Sequence, residues 1–154
     1  MIQEDIAGAA AVHEAAFPRQ RYSRDWIRCN FLAFPRMQYF VAASGSDIQG
    51  YIHWSQKSGF RDEVVLELEQ IAVAPSIQGQ GTGTHLIRES LPIVTARLAD
   101  RRAVIKNLWV TTRADNASQR LYHRVLGAEI ECTIRNLYSA DEVLMVARGV
   151  PDEA

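Results

Sequence analysis

Residues that hold metals and disulfides are scarce in this chain and far apart. Its two cysteines, Cys29 and Cys132, form no Cys-x-x-Cys or Cys/His cluster, so neither a disulfide scaffold nor a thiolate zinc site is expected. The four histidines, His13, His53, His85 and His123, make no pair at ligand spacing, and no metal is expected. Long apolar runs are missing too: none approaches the roughly 20 residues that span a bilayer. The start, Met1-Ile2-Gln3-Glu4-Asp5, is acidic where an export signal is basic. These absences predict no membrane partner and a cytoplasmic location. Neither sign of charge dominates, with 17 Lys and Arg against 18 Asp and Glu, which removes the electrostatic reason to expect nucleic acid. There is no internal repeat, linker or low-complexity tract, so 154 residues predict one domain, large enough to bury about two-thirds of its unfolded surface.

What is present is concentrated between Leu66 and Arg88, LELEQIAVAPSIQGQGTGTHLIR. Val64–Ala74 reads as a strand with Glu67 and Glu69 on one face, and Pro75-Ser76 stops it. Gln78-Gly79-Gln80-Gly81-Thr82-Gly83 follows, and from Thr84 the apolar positions Leu86, Ile87, Leu91, Val94 and Leu98 fall at helical spacing. Strand, glycine loop and helix together aim backbone N–H groups and a helix N-terminus at an anion, which reads as a pyrophosphate cradle. A P-loop would need Lys-Ser or Lys-Thr after its last glycine, and here Thr84-His85 follows Gly83. A dinucleotide fingerprint begun at Gly79 or Gly81 lacks its third glycine, at Thr84 or Leu86. The remaining pattern is Gln/Arg-x-x-Gly-x-Gly/Ala, from Gln78 to Gly83.

The rest of the chain surrounds this stretch with alternating elements. Asp5 is placed to cap a helix over Ile6–Ala16, and Ser23 to cap one over Arg24–Leu32. Gln38–Ala43 and Ile48–Trp54 read as a hairpin around Ser44-Gly45-Ser46-Asp47, with a loop at Lys57-Ser58-Gly59. The helix after the glycine loop extends to about Asp100, with a kink expected at Pro92. Val104–Thr111 is the next strand, parallel to its predecessor because a helix intervenes. Ala117–Leu126 is a short helix closed by Gly127, and Glu129–Arg135 and Glu142–Arg148 are the final strands. The order α-α-β-β-β-α-β-α-β-β is that of an α/β fold.

The Gln78–Gly83 loop between strand and helix resembles the coenzyme A loop of the GNAT acyltransferase superfamily. Two later segments resemble the same family: Trp109–Ala117, a strand and Asn-containing loop, and Leu121-Tyr122 to Leu126-Gly127-Ala128. The resemblance covers about residues 5–148. It implies a single-domain mixed central sheet with helices on both faces and splayed central strands. The family usually opens with a strand before its first helix, and only four residues precede Asp5, so that strand is a stub or absent.

The implied activity is transfer of an acetyl group from acetyl-CoA, as co-substrate, to an amine by direct attack. The resemblance assigns the pyrophosphate to Gln78, Gly79, Gln80, Gly81, Thr82, Gly83 and Thr84. It gives the pantetheine arm the free backbone of Ile71, Ala72 and Val73, and adds Asn116. Tyr122, at the family's Leu-Tyr position, is the implied acid for the leaving thiolate, a phenol near pKa 10 facing a thiol near 8.5. Glu67 and Glu69 stand where different subfamilies keep a base, and Glu69 has the commoner spacing. Their other reading is ion pairing to Arg61 or Arg113, because two carboxylates on a central strand are costly to bury unpaired. The His53 position, and Trp26, Phe31, Phe34 and Trp54, read as strand, core or cleft lining. Ile134-Arg135-Asn136-Leu137-Tyr138 resembles the end of bacterial ribosomal-protein N-terminal acetyltransferases, where Tyr138 would line the peptide entrance. That subfamily keeps a glutamate where this chain has Thr111. The expected acceptor is an α-amino group, on a peptide or a small amino compound. A homodimeric state is left open, and a non-catalytic acyl-CoA-binding module or a purely structural protein are the alternatives.

Overall fold

The structure, a computed structural model, describes residues 1–149. A short 3-10 turn at Gln3–Asp5 precedes α1 (Ile6–Ala16) and α2 (Ser23–Phe31). Next come β1 (Met37–Ser44), β2 (Asp47–Lys57) and β3 (Glu63–Val73), a second 3-10 turn at Pro75–Ile77, and α3 (Thr82–Ala99). The chain ends with β4 (Val104–Arg113), α4 (Gln119–Leu126), β5 (Glu129–Ile134) and β6 (Glu142–Arg148). This is the expected order, with β1, β2 and β4 longer than read, β3 shifted by one residue and β5 one residue shorter. The strands form one six-stranded mixed sheet in the order β1-β2-β3-β4-β6-β5. β3 and β4 are parallel, as a helical connection requires, while β6 runs antiparallel to both β4 and β5. No strand precedes α1 among the described residues, and β1 occupies the sheet edge.

By density of internal contacts the chain divides into two compact units, one of Met1–Trp54 with Gln70–Ser90 and one of Ser55–Glu69 with the residues from Leu91 onward. In the first, Ile6, Ala9, Ala10, Val12, Ile27, Tyr39, Tyr51 and Ala72 form a buried cluster. Gly8 lets α1 approach β2, since a Cβ there would lie 2.6 Å from Ile48 Cγ1. Trp54 is fully buried, and its indole N–H donates to the Ser90 hydroxyl at 2.7 Å. In the second unit Leu66, Leu68, Leu91, Val94, Leu98, Leu108 and Leu126 are each about 1% exposed or less. The i, i+3, i+4 stripe read for α3 is therefore its buried face, and Pro92 and Arg88 fall on the exposed side. The helix is continuous through Pro92; the Arg88 carbonyl, which loses its donor there, is on the solvent side where water can replace it.

Neither expected N-cap side chain caps its helix. Asp5 stands at the N-cap of α1 but in αR geometry, and its carboxylate accepts from Ile2 N at 2.7 Å, closing the preceding turn. Ser23 is the first residue of α2, and Tyr22, at φ 58°, precedes it. The Ser23 hydroxyl instead lies 2.9 Å from His13 Nδ1 inside the first unit.

That contact belongs to a buried polar chain that fixes the His13 tautomer. Tyr51 donates its hydroxyl to Gln70 Oε1 at 2.7 Å, so the Gln70 amide turns its NH2 toward His13 Nε2, 3.3 Å away. Nε2 must then be the acceptor, leaving the His13 proton on Nδ1, facing Ser23. A second proton on His13 would set donor against donor, and burial lowers its pKa, outweighing the Gln20 and Glu14 interactions that favour the cation. With the folded value below the unfolded one, the unfolded chain takes up the proton first. The stabilisation is complete above about pH 6.5 and is lost as pH falls below it. Urea unfolding is expected to show a stability drop between about pH 7.5 and pH 5.5 that shrinks in His13→Asn. An equal drop in both proteins would show that His13 is not its source.

Candidate functional site

The glycine loop has the geometry that an anion cradle needs. Gly79 and Gly81 have φ of 80° and 90°, a region that L side chains rarely adopt. An ideal Cβ at either meets nothing within 4 Å, so the space in front of both is open. Gln78 folds back to donate Nε2 to the Val73 carbonyl at 3.0 Å, tying the loop to the end of β3. α3 begins at Thr82, before the expected Thr84, because the Gly81 carbonyl already accepts the first helical bond, from His85 N at 3.0 Å. The N–H groups and positive dipole end of an 18-residue helix therefore start directly after two left-handed glycines. This arrangement fits a pyrophosphate.

The parallel ladder between β3 and β4 ends at Glu67↔Trp109, whereas β3 itself runs to Val73 and β4 to Arg113. Along the remainder of β3, Ala72 is buried and Ile71 and Val73 are half-buried.

Glu67 and Glu69 share a face of β3, as their spacing requires, but the cation beside them is neither Arg61 nor Arg113. Lys57, the last residue of β2 rather than the first of a loop, places Nζ 2.5 Å from Glu67 Oε2 and 3.5 Å from Glu69 Oε2. Arg61 donates to the Ser58 carbonyl, and Arg113 makes a bidentate pair with Asp115. Burial pulls the Lys57 pKa down, but the two carboxylates outweigh it and leave it above its ordinary value. Glu69 Oε2 is closed to solvent and lies in ion-pair range of Lys57. Lys57 had a sequence signal: it is a lysine at the mouth of a hairpin whose other arm carries two glutamates, and opposite charges pair across strands.

Tyr122 lies on α4, 5% exposed, and its pKa is pushed up to about 12 by burial against the opposing effect of the Ser118 hydroxyl. The sequence argument rested on a phenol near 10, so burial makes this tyrosine the weaker acid and keeps it protonated well beyond neutral pH. Asn116 shapes the turn into that helix: Nδ2 donates to Thr112 Oγ1 at 2.8 Å, and Oδ1 accepts from Ser118 N at 2.9 Å. Gln119 Nε2 bridges the Arg113 and Ala114 carbonyls, which starts α4 at Gln119 rather than Ala117. Gly127 ends it in the left-handed conformation expected, φ 66°. Tyr138 projects from the β5–β6 turn, 77% exposed. His53 is fully buried and stacked on Tyr39, a packing role, while Trp26 and Phe34 are exposed, which removes the core half of their reading and leaves cleft lining.

With fold and loop described, the class follows. The family model described as acetyltransferase (GNAT) family matches residues 7–128, and the chain belongs to that family. Among solved structures the fold is shared with Ard1 from Thermoplasma volcanium, at 16% identity over 98% of this chain and 95% of that one, TM-score 0.76. It is shared with the ribosomal-protein-S18-alanine N-acetyltransferase of Escherichia coli, at 22% identity over 100% and 95%, TM-score 0.70. A third is an aminoglycoside 6'-N-acetyltransferase complexed with coenzyme A, at 13% identity over 97% and 93%, TM-score 0.72. Comparison with curated proteins finds no match by sequence.

Proposed function

We propose that the chain acts as one cytoplasmic acyltransferase domain that moves an acetyl group from acetyl-CoA to a free α-amino group, on a peptide or a small amino compound. The observation that carries this reading is the pair of left-handed glycines at the start of α3, with open space where their side chains would be. Gln78 to Thr84 would hold the pyrophosphate there. The backbone of Ile71–Val73, beyond the end of the β3–β4 ladder, would hold the pantetheine arm and polarise the thioester carbonyl, an effect of a few kcal/mol for preorganised donors. Coenzyme A complexes among proteins of this fold support the choice of donor.

The acceptor amine must lose a proton before it attacks. Glu67 is the carboxylate held closer by Lys57, so Glu69 is the freer base. Glu69→Gln is expected to lose more kcat at neutral pH than at high pH, where the amine ionises unaided. A pH–rate series on both glutamine variants checks this, and the same signature in Glu67→Gln alone would reverse the assignment. Tyr122, neutral at every working pH, would donate a hydrogen bond to the departing sulfur. Asn116 would act by placing α4, and Tyr138 by lining the peptide entrance.

A base held beside a lysine suits an amine that is easily deprotonated. An α-amino group has pKa about 7.7–8.0 against about 10.4 for a lysine side chain, so at pH 7 roughly one in ten of the former is already neutral, against fewer than one in a thousand of the latter. Short peptides with a free N-terminus are therefore expected to show higher kcat/KM than N-blocked, lysine-containing counterparts. Faster turnover of the blocked peptide would reject the preference.

A further inference from the structure

We infer that Lys57 sets the charge of the acceptor side and makes the enzyme select amines that carry a single positive charge. The inference rests on the acetyltransferase reading and on Glu67 and Glu69 facing the acceptor. Two carboxylates share one ammonium here, with Nζ 2.5 Å from Glu67 and 3.5 Å from Glu69, so the trio has one uncompensated negative charge. That charge is not spread evenly. Glu69 holds the looser contact to Lys57, and its side chain stays 25% exposed against 13% for Glu67, so the free charge sits on Glu69.

The same face of β3 opens beside the trio. Lys57, Glu63 and Val65 line a cavity of about 480 Å³ together with Ser58, Arg61, Asp62 and Lys106. Its other charges add nothing to the balance: Glu63 and Lys106 neutralise each other at 2.7 Å, and Arg61 stands with Asp62 in the wall. One ammonium completes this arrangement. It donates to Glu69, passes one proton to the carboxylate, and is left as the neutral amine that attacks. A second positive charge next to the reacting amine meets the Lys57 ammonium instead, and at about 5 Å in a partly wetted site that repulsion lowers kcat/KM by roughly tenfold.

Without Lys57 the two glutamates become a like-charged pair on one strand face. With no cation beside them, a dicationic acceptor is no longer repelled. The test uses two peptides with free α-amino groups that differ only in a glutamine or lysine second residue, with wild type, Lys57→Gln and Lys57→Arg. Lys57→Met, which keeps the apolar stem, replaces the glutamine variant should circular dichroism show that one unfolded. Wild type should favour the glutamine peptide about tenfold, less at high salt. Lys57→Gln should lose that preference and its salt dependence, and Lys57→Arg should restore both. A lysine with a merely structural role would slow both peptides alike, leaving the ratio and its salt dependence unchanged, and that result would overturn the inference. Turnover of neither peptide by wild type would instead reject the acceptor class proposed above, and the selectivity with it.

Discussion

Gly81→Glu is expected to abolish acetyl-CoA binding while the protein stays folded. The backbone at Gly81 has φ 90°, and a non-glycine residue held in left-handed geometry costs roughly 1–2 kcal/mol. No clash adds to that, because the new Cβ meets nothing within 4 Å. On the proposed reading the space it enters is the space that the pyrophosphate would need, and its carboxylate would compete for the same helix N-terminus and repel the phosphates. Gly81→Ala separates the two effects, since it carries the backbone strain without the charge, and should bind more weakly than wild type but measurably. Calorimetric titration with acetyl-CoA beside a thermal melt reads both. Wild-type-like affinity in Gly81→Glu would remove the cradle from this loop.

Tyr122→Phe is expected to keep coenzyme affinity and lower kcat by roughly ten- to several-hundred-fold, within or below the usual range for acid catalysis. The ring is buried and phenylalanine refills its volume, so what changes is the hydroxyl. With its pKa near 12, this phenol lies about 3.5 units above a free thiol. Full transfer to a finished thiolate would then be uphill by about 5 kcal/mol. On the proposed reading its contribution is a hydrogen bond that strengthens as the carbon–sulfur bond breaks, and the wild-type rate should show no alkaline loss from Tyr122 below about pH 10. Single-turnover kinetics with saturating acetyl-CoA isolates the step. An unchanged rate would return Tyr122 to packing.

Where the chemistry is local, the sequence was enough. Gly79, Gly81 and Gly127 are glycines because the backbone turns left-handed at each, and such turns are written in single residues. The stripe Leu86, Ile87, Leu91, Val94, Leu98 is buried as its spacing requires. Most of the misreadings involve partners distant in the chain, and Asp5, which bonds Ile2 three residues back, is the local exception. Ser23 and Asp5 have the chemistry of N-caps, but Ser23 meets His13, and Asp5 closes the turn before its helix. Gln70 joins Tyr51 to His13, residues that no local pattern connects. Lys57 looked like a loop residue because Ser58-Gly59 follows it; only the register of β2 against β3 puts its ammonium between Glu67 and Glu69. The Tyr122 pKa moved for the same kind of reason, since burial is a property of the folded chain.

The central claim is that this chain transfers the acetyl group rather than merely holding its carrier. Its most direct test is free-thiol release from acetyl-CoA on addition of a panel of peptides and small amines, with the acetylated product identified by mass spectrometry. The account predicts thiol and N-acetylated amine in equal amounts, with the acetyl group on α-amino nitrogen. Saturable acetyl-CoA binding with no thiol released by any amine would contradict it, leaving a binding module in place of an enzyme.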